Sequence, residues 1–157
     1  MKNYKLLTIL ISILFVSSCM EDYNERYLLK DYFVEFEEAT FSNRAVGKDY
    51  VISKNIIKPK SSKILVQVNL VGPQFSSDQI VKYQVVADQT TATQGKDYQI
   101  EGLGDLVFKA NTSIATIEIS PTTNGEGETI LVLQLMGNNT IKSSKNYEKL
   151  AIRCVYP

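Results

Sequence analysis

Between Lys63 and Val71 the chain alternates with a period of two: Ile64, Val66, Val68 and Leu70 on one side, Lys63, Leu65, Gln67 and Asn69 on the other. Successive side chains of a strand leave opposite faces, so this pattern predicts a strand with one face buried and one in water. The same pattern returns in Ser113–Ser120, where Ala115, Ile117 and Ile119 oppose Ile114, Thr116, Glu118 and Ser120. Thr129–Met136 sets Leu131, Leu133 and Leu135 against Ile130, Val132, Gln134 and Met136, and Tyr147–Tyr156 aligns Leu150, Ile152, Cys154 and Tyr156. Shorter apolar stretches at Tyr32–Glu37, Tyr50–Ser53, Ile80–Ala87 and Leu106–Phe108 add further strands. Gly72-Pro73 and the run from Pro121 through Thr122–Gly127 mark loops. Helical periodicity is almost missing after Asp31, which argues against βαβ units. Short links between the strands imply antiparallel neighbours. The expectation is all-β: a two-sheet antiparallel β-sandwich over 32–157.

The N-terminus follows a different pattern. Lys2 and Lys5 precede an apolar run from Leu6 to Val16, which gives way to Ser17, Ser18 and Cys19. A basic head, a short apolar stretch and small residues describe a secretory signal peptide. The run is too short for a transmembrane helix, which needs about 20 apolar residues. Val16-Ser17-Ser18-Cys19 resembles the bacterial lipoprotein box, and the resemblance implies a diacylglyceryl thioether on Cys19, cleavage before it and acylation (palmitate-type chains) of the new N-terminus. Two or more chains anchor stably because each buried CH₂ contributes about 0.8 kcal/mol. The expected organisation is a lipoprotein signal peptide over 1–18, a lipidated Cys and tether over 19–31, and the sandwich beyond. Met20, Glu21 and Asp22 resemble the surface-export signal of lipoproteins in the Bacteroidota, which implies an outer-membrane protein facing outward.

Composition narrows the chemistry. Among 157 residues there are 17 basic and 17 acidic residues, and no His or Trp. Removal of Lys2 and Lys5 leaves 15 basic residues against 17 acidic ones, a balance of −2 that offers nucleic acid no attractive field. Without His there is no His-dependent triad and no His-ligated zinc. No Gly-rich phosphate loop, Gly-x-Ser-x-Gly elbow or Cys-x-x-Cys pair occurs, so the expectation is a non-enzyme. Once Cys19 carries lipid, Cys154 has no partner and reads as a small buried hydrophobe.

The stretch Gly95-Lys96-Asp97-Tyr98, Gly104-Asp105-Leu106-Val107-Phe108, an Ile-rich strand through Ile119, and Glu126-Gly127-Glu128-Thr129 leading into Leu131–Leu135 resembles the Calx-beta repeat. Phe33–Ala39 and Leu70–Pro73 are similar to Calx-beta-like lipoproteins of Bacteroidota, many of which sit beside glycan-uptake machinery. The resemblance implies an immunoglobulin-like sandwich. It also implies calcium, for which Asp97, Glu126 and Glu128, with Asp49 as a fourth carboxylate, are the candidate ligands. Calcium takes about six to eight oxygens, however, and this chain has Pro121, Thr122, Thr123 and Asn124 where animal members carry an acidic pair. The plainer reading has Asp97 bonding a turn while Glu126 and Glu128 stay solvated.

Two functions are consistent with these features. One is a non-catalytic surface lipoprotein that binds a glycan or docks onto an outer-membrane complex. Alternation should place several Tyr in the core; an exposed cluster of two or three Tyr would favour sugar binding, and a large apolar patch would favour a protein partner. The other is a calcium-binding structural or adhesion module. Gly-Lys-Asp-Tyr occurs at both 47–50 and 95–98, which suggests a shared turn rather than a repeat.

Overall fold

The computed structural model describes residues 31–157; the signal peptide, Cys19 and the tether up to residue 30 lie outside the described residues. Ten strands and one short helix follow in the order β1 (Tyr32–Phe36), α1 (Glu37–Phe41), β2 (Val51–Ile57), β3 (Ile64–Val71), β4 (Gln79–Val85), β5 (Tyr98–Gln99), β6 (Asp105–Phe108), β7 (Ile114–Pro121), β8 (Glu128–Gly137), β9 (Ile141–Ser143) and β10 (Lys149–Val155). They form two five-stranded sheets, ordered β5-β7-β3-β1-β9 and β2-β10-β8-β4-β6. The expected two-sheet sandwich is the observed fold.

The inward faces are those that alternation assigned. Ile64, Val66, Val68 and Leu70 of β3 meet Leu131, Leu133 and Leu135 of β8 and Leu150, Ile152 and Cys154 of β10 in one core cluster. Burial of these apolar faces is the main driving force for bringing the two sheets together. Val132 and Ala151 point the other way yet are fully buried, in a second cluster with Tyr50 and Val86. The segment after β4 covers them: Val86 N–H donates to Val132 O at 2.9 Å and Thr91 N–H to Ile130 O at 2.8 Å.

Three features depart from the sequence reading. Two pairings, β1 with β9 and β2 with β10, are parallel rather than antiparallel. Each joins strands far apart in the chain, so no hairpin imposes their direction. The strand expected at Tyr50–Ser53 continues to Ile57, past a bulge where the register against β10 jumps from Ala151↔Ile52 to Arg153↔Ile56. The bulge breaks the alternation. The chain also turns into one helical turn at Glu37–Phe41 instead of staying extended, with Ala39 buried beneath it.

Both Gly-Lys-Asp-Tyr copies do the same job. Gly47 and Gly95 sit at φ +71° and +81°, a left-handed conformation that favours glycine, and each is followed by a buried Tyr, Tyr50 or Tyr98. A backbone bond closes each turn, Ala45 N–H to Tyr50 O at 3.0 Å and Gly95 N–H to Tyr98 O at 2.8 Å.

Candidate functional site

The residues nominated for calcium do not converge, and Asp49 and Glu128 bond towards opposite ends of β10, at Lys149 and Arg153. Asp97 is 2% exposed, and its Oδ2 accepts the Thr93 N–H at 2.7 Å, so it closes the turn before β5. Its backbone carbonyl accepts the Tyr156 hydroxyl at 2.5 Å, and that hydroxyl in turn accepts the Thr122 N–H at 3.1 Å. Glu126 faces solvent and pairs with Lys96 at 3.6 Å. Glu128 is gripped by both arms of Arg153, at 2.7 and 3.0 Å, which holds its carboxyl below the usual range. Asp49 accepts from Lys149 at 2.5 Å and from Gln89 at 3.0 Å. Among the described residues no group of three potential metal ligands comes together. Asp97 Oδ1 is buried without a hydrogen-bond partner, but a single sealed oxygen falls far short of a calcium shell. The donor set does not fit calcium, because the chain's own cations already occupy Glu126 and Glu128.

Cys154 lies at 0% exposure on the inner face of β10, where burial pushes its thiol up to about 11. A neutral, enclosed thiol is a packing group.

Tyr23 and Tyr27 lie outside the described residues, and among the described ones no exposed cluster of Tyr side chains forms. Tyr50, Tyr83, Tyr98 and Tyr156 are all buried, and Tyr32 packs on Phe75 with ring centroids 4.5 Å apart. Alternation sends these rings inward because each supplies large apolar area to the core.

Among the described residues the exposed aromatic is Phe41, 62% exposed at the end of α1. It borders a groove of about 380 Å³ lined by Glu37, Glu38, Phe41, Lys54, Asn55, Leu65, Val66 and Gln67. Each wall has a local cause. The outward residues of β3 form the floor, since the period of two that buries Val66 turns Leu65 and the half-buried Gln67 outward. α1 forms one wall, held down by Glu38, whose carboxylate accepts from Ser53 Oγ at 2.6 Å and Lys54 N–H at 2.5 Å. The β2 bulge forms the other wall and turns Lys54 and Asn55 outward, with Asn55 N–H donating to Ser53 Oγ at 3.0 Å. Lys54 Nζ lies 5.6 Å from the centroid of the Phe41 ring.

The floor carries a preset polar network. Gln67 Nε2 donates to Glu37 Oε2 at 3.2 Å and to Asn69 Oδ1 at 2.9 Å, and Asn69 Nδ2 donates to the same Glu37 oxygen. Glu35, beside it on β1, has its carboxyl raised above the ordinary 4.5, first by burial and then by repulsion from Glu37. The folded state therefore holds the Glu35 proton more tightly than the unfolded chain does. This penalty on folding is complete above the folded pKa and vanishes as pH falls below the unfolded value. Glu35→Gln is expected to raise the melting temperature at pH 7 by a degree or more (order of magnitude,) and to leave it unchanged near pH 3.5, as read by paired thermal melts. An equal effect at both pH values would contradict this account.

Sequence reasoning missed this site. Phe41 falls where the pattern lapses into turn residues, and the walls exist only once α1, β2 and β3 are packed. A second cavity, of about 240 Å³, is lined by residues of β6 and β7; three of its four charged side chains are already paired, Lys63 with Glu118 at 3.0 Å and Asp105 with Lys82, and Glu101 is the fourth.

No protein-family model matches the sequence, and no curated protein matches it. Among solved structures, the crystal structure of the apo-form Calx CBD1 domain is similar with a TM-score of 0.50 and 16% identity, over 82% of this chain and 99% of that one. The structure of CBD12 from CALX1.2 is similar with a TM-score of 0.42 and 17% identity, over 64% of this chain and 40% of that one. At 16% identity the first likeness speaks to architecture alone: the chain has a Calx-beta-like fold.

Proposed function

We propose that this chain is a lipid-anchored, non-catalytic binding protein of a bacterial outer membrane, tethered through Cys19 and displaying its sandwich outward to bind a glycan beside a glycan-uptake complex. The observation that carries the binding role is the groove beside α1, where an exposed aromatic ring and a pre-ordered amide and carboxylate network share one concavity. Saccharides present hydroxyls on one edge and C–H faces on the other, and this lining answers both. The anchoring role rests on the lipoprotein box and on the polar stretch after it.

The calcium-module reading finds no comparable support, because the nominated carboxylates are individually engaged. The test has two arms. Produced in a Gram-negative host with radiolabelled palmitate, the wild type is expected to carry label and fractionate with membranes, while Cys19→Ala is expected to lose both. Full-length protein in detergent is then applied to an array of neutral and acidic glycans. Absence of label in the wild type would sink the anchor, and absence of any bound glycan would sink the binding role.

A further inference from the structure

We infer that the groove beside α1 is a subsite for an uncharged saccharide, with Phe41 stacking on a sugar ring and the unoccupied oxygens of Glu37 and Gln67 accepting its hydroxyls. This rests on the glycan-binding reading above and adds the place of binding and the charge of the ligand.

The lining argues against a peptide. A peptide that binds by strand addition needs unpaired backbone at a sheet edge, and the one edge strand here, β2, has its N–H groups engaged where it borders the groove. β3 is an interior strand, paired with β1 on one side and β7 on the other. On β2 the Lys54 and Asn55 N–H groups are already taken by Glu38 and Ser53 at the bulge. What remains is side-chain chemistry: the exposed Phe41 ring and Leu65, the Lys54 ammonium, and amide and carboxylate oxygens along the floor. Bulges of this kind commonly re-aim side chains at binding sites.

The network is also ordered before any ligand arrives. Gln67 Nε2 and Asn69 Nδ2 both converge on Glu37 Oε2. That leaves Glu37 Oε1 and Gln67 Oε1 without a protein donor among the described residues. Two acceptors already fixed in direction spare a ligand the rotamer entropy of ordering them. Hydroxyl donors suit such acceptors, and carboxylates do not.

Charge points the same way. The lining holds Glu37 and Glu38 against the single cation Lys54, and Glu35 stands next to Glu37 close enough to be perturbed by it. A uronic or sialic acid would bring a further negative charge into this field, whereas a neutral hexose would bring none.

The test is binding of full-length protein in detergent to the array of neutral and acidic glycans, repeated with Phe41→Ala and Gln67→Ala. Phe41 is 62% exposed, so its removal leaves the core intact, and a thermal melt of each variant checks folding. Expected is binding to neutral glycans, weakened about tenfold or more by Phe41→Ala, as for a central aromatic anchor, and weakened by Gln67→Ala as well. Neutral-glycan binding that both folded variants retain would overturn the groove while leaving the glycan-binding reading intact. Binding confined to acidic glycans would overturn the charge assignment, and no binding at all would overturn both readings together.

Discussion

Phe36→Ala is expected to lower the unfolding free energy by about 3–5 kcal/mol, the usual cost of deleting a fully buried aromatic ring. Phe36 is 0% exposed at the end of β1, within the main core cluster shared by the two sheets. Its N–H donates to Tyr147 O at 3.0 Å, so the backbone is pinned and has little freedom to collapse into the vacated space. Domains of this size are stable by about 5–15 kcal/mol, and the loss is therefore a large share of the total. In a thermal melt it corresponds to about 10–20 °C. Urea denaturation is the sharper check, because a reduced midpoint at unchanged slope assigns the loss to packing. A loss below about 1 kcal/mol would mean that the two sheets do not close over this ring.

Gly137→Ala is expected to cost about 3 kcal/mol, through two effects that act together. Gly137 has φ +76°, where a side chain adds about 1–2 kcal/mol. A methyl group there would also fall on the Ile141 carbonyl oxygen, a backbone atom that cannot rotate away. Overpacking of that kind adds about 1–3 kcal/mol. The turn has no slack to absorb it. Asn138 N–H donates to Ile141 O at 2.7 Å, while Asn138 Oδ1 accepts from Thr140 N–H at 2.9 Å and Ile141 N–H at 2.7 Å. Disturbing this turn displaces β9, whose Ile141 is fully buried and which forms the parallel edge beside β1. Hydrogen exchange should therefore accelerate first at Ile141–Ser143 and the facing residues of β1. Uniform acceleration across both sheets would show that β9 is not a separable edge.

The contrast between β3 and β2 shows what was legible in the residues alone. In β3 each apolar residue is followed by an outward one for eight residues, and burial follows that order without a slip. In β2 the order fails at Lys54 and Asn55, two consecutive exposed residues at the bulge, so the pattern ends early while the strand does not. β5 and β9, of two and three residues, are too short to show any period and exist only because neighbouring strands recruit them. The carboxylates followed the same division. Asp97 bonds within its own Gly-x-Asp-Tyr turn, a local contact, whereas Arg153 and Lys96 reach Glu128 and Glu126 from distant positions that one dimension does not indicate.

Residue order by itself determined the all-β class, the inward faces of the long strands and the paired Gly-Lys-Asp-Tyr turns, because alternation and left-handed glycine are properties of neighbours in the chain. The parallel edges, the bulge and the groove were decided only in three dimensions. Glu37, Lys54 and Gln67 stand far apart in sequence, and it is the docking of α1 and β2 against β3 that sets their side chains around one concavity. Local rules state which face of a strand is wet. Which wet side chains become neighbours depends on how the sheets pack.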